Sequence, residues 1–126
     1  MNVDDLMKSE DYTRNYSIQD INDNKLMGVL AYLGLLVLVP VFAARNSKYA
    51  MFHAEQGIVL LILSIVVGGV FGALSAIPVV GFVFLVILSL LEIPLVILAI
   101  LGIINSATGQ AKQLPLIGAI KIFHLQ

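Results

Sequence analysis

Tyr49-Ala50-Met51-Phe52-His53-Ala54-Glu55-Gln56-Gly57 is a short polar stretch wedged between apolar runs too long for a soluble domain. Residues 26–44 precede it, and residues 57–77 and 79–104 follow it. A helix needs roughly 20 apolar residues to cross a hydrocarbon core about 30 Å thick, and each run meets that length. Lipid offers no water to pair backbone groups, so all three runs are expected to be helices. The predicted fold is an all-α integral membrane protein with three transmembrane helices. Its first partner is the lipid bilayer.

Composition agrees. Sixty per cent of the 126 residues are hydrophobic, 12% are charged and the mean hydropathy is +1.00, which excludes an ordinary soluble domain. The net charge of −1 and the lack of a basic patch give no reason to expect nucleic acid. With no cysteine, disulfides, thiolate nucleophiles and zinc–thiolate sites are excluded. The acidic N-terminus does not read as a signal peptide.

Taken in order, residues 1–25 read as an acidic, solvated tail, with Asp20 or Asp23 placed to cap the first helix. Residues 26–126 read as a three-helix transmembrane domain. In the first span, Gly28, Ala31 and Gly34 form a narrow strip of small residues, and Pro40 is expected to bend the last turn. Phe42, Tyr49 and Phe52 flank the loop at 45–48, as aromatics do at headgroup level. In the second span, Ser64, Gly68, Gly72 and Ala76 recur at four-residue steps, a face suited to close helix packing within the chain or between copies. Pro78 and Gly81 predict a very short turn, making the second and third helices a tight antiparallel hairpin.

The third span carries Glu92 and Pro94 at its middle. An acidic residue at a helix centre opposes insertion by roughly 3 kcal/mol, and the surrounding Leu, Ile, Val and Phe outweigh it. A kinked single helix is expected. Intramembrane carboxyls are functional candidates by default, so Glu92 could carry a proton or an ion. The plainer alternative is a carboxyl hydrogen-bonded to Ser89 or to the Leu90 carbonyl freed by Pro94. Gly109 is a natural C-cap, and the apolar residues 114–123 are expected to lie at the interface.

Three spans would put Arg45, Lys48, Lys112 and Lys121 on one side and Lys8, Arg14 and Lys25 on the other. That small majority predicts a cytoplasmic first loop and C-terminus, with the N-terminus outside. On the cytoplasmic side, Phe52, His53 and Gln56 are expected to meet Leu114, Pro115, Leu116 and Gly118 in a latch, with Phe52 packed on Leu114 and Leu116. His53 and His124 would also face one another there, but no metal-ligand spacing, acidic triad partner or phosphate loop accompanies them. The chain therefore reads as non-enzymatic, without metal or cofactor.

The same residues carry a family resemblance. Phe52-His53-Ala54-Glu55-Gln56, then Gly109 followed by Leu114-Pro115-Leu116-Ile117-Gly118, resemble the twenty-kilodalton component of the chloroplast inner-envelope protein translocon (Tic) and its bacterial relatives. Ala31-Tyr32-Leu33-Gly34 fits the bacterial members. The chloroplast proteins have four spans, of which this chain matches the last three, and Met51 stands where many relatives have a basic residue. The resemblance implies a subunit of a bacterial cytoplasmic membrane that assembles with copies of itself or with other membrane proteins, in translocation or as a transporter accessory. An immunity protein against a membrane-active peptide is an alternative.

Overall fold

Ser47 starts the helix that carries the central polar stretch: its hydroxyl accepts the Ala50 N–H at 3.0 Å, as an N-cap does. The helix therefore begins nine residues before the apolar run, and the polar stretch is its first two turns rather than a hinge. The computed structural model describes residues 11–115 and residue 117. Its elements are α1 (Ile18–Asp23), α2 (Lys25–Leu30), α3 (Leu38–Ala43), α4 (Lys48–Leu74) and α5 (Gly81–Ala107), with 3-10 turns at Thr13–Asn15 and Gly34–Val37. No extended strand is present among the described residues.

The two long helices form an antiparallel hairpin. Each has 27 residues, about 40 Å at 1.5 Å per residue, enough to cross a bilayer. They are not the core helices of a soluble protein, because their most apolar windows are only 17% and 6% buried. Phe82 is 69% exposed and Leu90 61%, a surface that lipid covers and water does not tolerate. The connecting turn is tight: Gly81 has no room for a Cβ against the Ser75 carbonyl, and Val79 adopts φ 73°. α5 runs unbroken through Pro94.

The expected first span is not one continuous helix. A straight helix over residues 26–44 would hold its ends nearly 30 Å apart. Instead, Ser47 donates a hydrogen bond to the Asp20 carboxylate, and the Tyr49 N–H donates to the same group at 3.0 Å. The chain enters as α2, breaks at Tyr32-Leu33-Gly34, and returns as α3, packed against α2. Gly34, at φ 66°, takes the left-handed conformation that makes the reversal possible. Pro40 does not bend a last turn; it sits in the first turn of α3, where proline is tolerated.

This re-entrant pair corrects the topology. Both of its ends lie at one end of the long hairpin, so the described N-terminal residues share a side with the 44–47 loop and the C-terminal strap. The Tyr12 N–H donates to the Ala111 carbonyl at 2.8 Å, and Asp11 pairs with Lys112 in a short antiparallel bridge. These bonds hold the described N-terminal residues on the side of the first loop rather than opposite it. Nor is the tail solvated throughout, since Ile21 is buried and Tyr12 and Tyr16 pack their rings on Phe52. Asp20 does cap a helix, but it is α4, twenty-nine residues on, whose N-terminal dipole favours a carboxylate.

Close packing uses other glycines than the four-residue strip. Gly57 lets the Ala31 carbonyl approach α4, Gly102 seats the Tyr32 ring on α5, and Gly28 faces Ser106 and His53. A Cβ at Gly68 or Gly72 would meet nothing within 4 Å. Ser64 lines a cavity below the re-entrant tip, and Ala76 is exposed.

Two outcomes follow. Single cysteines at Asn15 and Asn46 are expected to react with an impermeant thiol reagent from the same side of sealed vesicles, and a cysteine at Ala76 from the other; opposite labelling of Asn15 and Asn46 restores three spans. In thermal unfolding, Gly57→Ala and Gly102→Ala should each destabilise by about 1–3 kcal/mol through overpacking. Gly68→Ala and Gly72→Ala should be neutral or stabilising by up to about 1 kcal/mol, because alanine is the better helix former.

Candidate functional site

At the polar end of the hairpin, α4 presents Tyr49, Phe52, His53 and Gln56 on neighbouring turns, all buried. Residues 109–114 leave α5 and cross over this head as a strap. Gly109 reverses the chain at φ 76°, which is the C-terminal role its position in the sequence suggests. A strap without regular structure has backbone groups that must find partners elsewhere. Side chains of α4 supply them. Gln56 accepts the Leu114 N–H on its Oε1, and its amide nitrogen lies 3.4 Å from both the Lys112 carbonyl and the Tyr32 hydroxyl.

His53 continues the network. Its Nε2 is 3.0 Å from the Gln110 carbonyl and its Nδ1 is 2.6 Å from the Tyr32 hydroxyl. A carbonyl can only accept, so Nε2 carries the proton and Nδ1 accepts from Tyr32. The ring is completely enclosed, edge-to-face with Tyr32, Tyr49 and Phe52 at centroid separations of 5.5, 4.9 and 5.3 Å. Beside it, the Tyr49 hydroxyl donates to the Ser106 carbonyl at 2.9 Å, and the Ser106 hydroxyl donates to the Lys25 carbonyl at 2.8 Å. One network thus joins the re-entrant pair, both long helices and the strap. Outside it, Asp11 takes hydrogen bonds from the Thr13 side chain and N–H, which hold its carboxyl below the usual range.

The sequence-predicted latch residues fall into two groups. His53, Gln56 and Leu114 come together through the strap, whereas Gly109, where the strap begins, lies against Ile21 and Lys25. Phe52 does not share a buried cluster with Leu114: it packs with Ile21, Tyr49 and Ala111, under Tyr12 and Tyr16. Leu114 instead joins Ala31, Tyr32 and Val37 in the main core, fully buried rather than at a lipid interface. Tyr49 and Phe52 are likewise core residues, and only Phe42, 80% exposed, faces outward as expected. Pro115 is half-buried, while Leu116, Gly118 and His124 lie outside the described residues. Sequence reasoning missed Tyr32 and Ser106. Tyr32 is a polar group inside a long apolar run, a signal that was present in the chain, and Ser106 lies just beyond the end of the run at 79–104.

Glu92 takes no part in the head's hydrogen-bond network. It lines a cavity of about 140 Å³ with Tyr32, Gly34, Ser64 and Leu95. The expected bond to Ser89 is not made, because the Ser89 hydroxyl donates to the Leu85 carbonyl at 3.0 Å. No cluster of three His, Asp or Glu residues able to hold a metal occurs among the described residues.

Two bacterial proteins resemble part of this chain. Magnetosome protein MamF of Paramagnetospirillum magneticum (strain AMB-1) is 46% identical over 41 residues, and MamF of Magnetospirillum gryphiswaldense (strain MSR-1) matches to the same extent. Each match covers 32% of this chain and 37% of the relative, little more than a third of its length. No family model and no solved structure matches. The resemblance to the chloroplast translocon component is thereby overturned. Its motifs are short and lie in apolar sequence, where five-residue coincidences arise readily, and the first run they flank is re-entrant. What stands is a small helical membrane protein with partial similarity to MamF.

Gln56→Leu tests the strap. It leaves the Leu114 N–H and the Lys112 carbonyl without their side-chain partner, which is expected to destabilise by about 1–3 kcal/mol. The Leu114 amide should then exchange with solvent far faster than amides in the middle of α5. Unchanged exchange at Leu114 would remove the strap from the stability of the fold.

Proposed function

We propose that this protein is a small, non-enzymatic component of a bacterial membrane that serves as a docking subunit. Its charged end receives other membrane proteins, and the open Gly68–Gly72 face is available to copies of itself. The observation that carries this reading is the internal use of the polar chemistry. Both ring nitrogens of His53 are engaged within the chain, and the Gln56, Tyr49 and Ser106 side chains are satisfied by backbone partners. A catalytic base or ligand needs a free lone pair facing a substrate, and here each is turned inward to hold a rigid head. The partial similarity to MamF, a magnetosome protein, supports a place in the membrane of a magnetosome.

Charge supports an orientation. Arg14, Lys25, Arg45, Lys48 and Lys112, all the basic residues in the described part, lie at the head, and the turn at 75–80 has no charge. By the positive-inside rule this distribution favours a cytoplasmic head. A second reading rests on Glu92, whose carboxyl receives no hydrogen bond among the described residues and borders the cavity under the re-entrant tip. It would bind a proton or cation within the membrane.

Crosslinking from native membranes, through single cysteines at Asn46 and at Ala76, tests docking. Defined heterologous products through Asn46 are expected; products through neither position would end the docking reading. Glu92→Gln is expected to leave those products and the proton permeability of reconstituted vesicles unchanged. A loss of proton or cation flux in that variant would favour the second reading.

A further inference from the structure

The two halves of the molecule differ in cross-section. The ten buried residues of α4 all lie between Tyr49 and Leu60, and from Leu61 to Leu74 none is buried. α5 shows the same division, with Leu98, Gly102 and Ser106 buried near its end and only Gly81, at the turn, elsewhere. What covers the first half is the re-entrant pair, packed through Gly57 and Gly102. A plane through the head half therefore cuts four helical segments, α2 to α5, whereas a plane through the turn half cuts two.

The re-entrant pair stops within one leaflet. About 20 residues cross the hydrocarbon core, so for the apolar run 57–77 the bilayer midplane falls about ten residues in. The tip, Ala31 to Val37, packs at Gly57, and the cavity beneath it ends at Ser64 and Glu92. Its outward residues are apolar: Leu33, Leu35, Leu36, Leu38 and Phe42 are 43–80% exposed. They displace lipid from the head-side leaflet, and among the described residues no element displaces a matching area from the other. α1, the 11–17 segment and the strap widen the head further at headgroup level. Ile65, Val66, Val70 and Phe82 stay open on the narrow half.

We propose that the chain is a leaflet-selective wedge: it favours, and collects in, membrane that is convex on the side of its charged head. The occupant of its apolar surface is lipid, and the curvature follows from unequal displacement of lipid by the two halves. A second copy seated on the Gly68–Gly72 face would fill the narrow half and abolish the preference, so that alternative is an outcome of the test. The inference goes beyond docking and rests only on membrane residence; crosslinking failure leaves it standing, and its own failure leaves docking standing.

The full chain, which has no cysteine of its own, is made with one at Asn46 or at Ala76, both exposed positions. Each variant is reconstituted into giant vesicles of phosphatidylethanolamine and phosphatidylglycerol and labelled from outside with an impermeant thiol dye. Asn46→Cys then reports molecules with the head on the outer leaflet, and Ala76→Cys reports the opposite orientation. A narrow tubule is pulled from each vesicle, and the tubule-to-parent ratio of the protein label is compared with that of a lipid dye. The Asn46 label is expected to be enriched on the tubule, increasingly as the tubule narrows. The Ala76 label is expected to be depleted. Ratios equal to the lipid dye for both labels overturn the proposal, and so does enrichment of both, which would show defect sensing without a wedge. A reversed pair overturns it as well.

Discussion

A chain segment without regular structure can lie against membrane helices only if its backbone groups find partners inside the protein. The architecture here depends on how that constraint is met at one end of a two-helix hairpin. The strap at 109–114 gives its Leu114 N–H and its Gln110 and Lys112 carbonyls to Gln56 and His53. The break after α2 is closed by 3-10 bonds, Tyr32 N–H to Val29 and Leu33 N–H to Leu30, each at 3.2 Å. The N-terminal segment then covers the strap through Tyr12 and Thr13. Among the described residues no buried side-chain polar atom lacks a partner.

The same constraint explains why the re-entrant pair is stable. Its two limbs are too short to span and too apolar for water. They are held by Asp20 at the entrance, by Gly57 and Gly102 along the sides, and by Tyr32 at depth. Tyr32 has two uses at once: its ring packs on Gly102 while its hydroxyl completes the His53 network. The glycines that matter are those where a backbone or ring arrives from elsewhere in the chain. At Gly68 and Gly72 a Cβ would meet nothing within 4 Å, so the regular strip is not where the single chain packs closely.

Much of the protein was legible in the sequence, and the reason is length. Residues 57–77 and 79–104 are long enough and apolar enough that helices across a membrane are the only structures able to pair their own backbones. Pro78 and Gly81 then dictated a tight antiparallel turn, and the expected convergence of His53 and Gln56 with the segment after Gly109 followed from that turn, which returns the end of the last helix to the start of the one before it. What the sequence could not decide was the path of residues 26–44. Their composition suits a span, and a single positive-φ glycine with small residues around it does not reveal whether the chain continues or returns. Only the tertiary contacts decide: Asp20 bonding to Ser47 and Tyr49, and Ala31 against Gly57, tie the ends and the tip of that run to one half of the hairpin. Those contacts join residues far apart in the chain, whereas hydropathy reports only the solvent that each residue prefers.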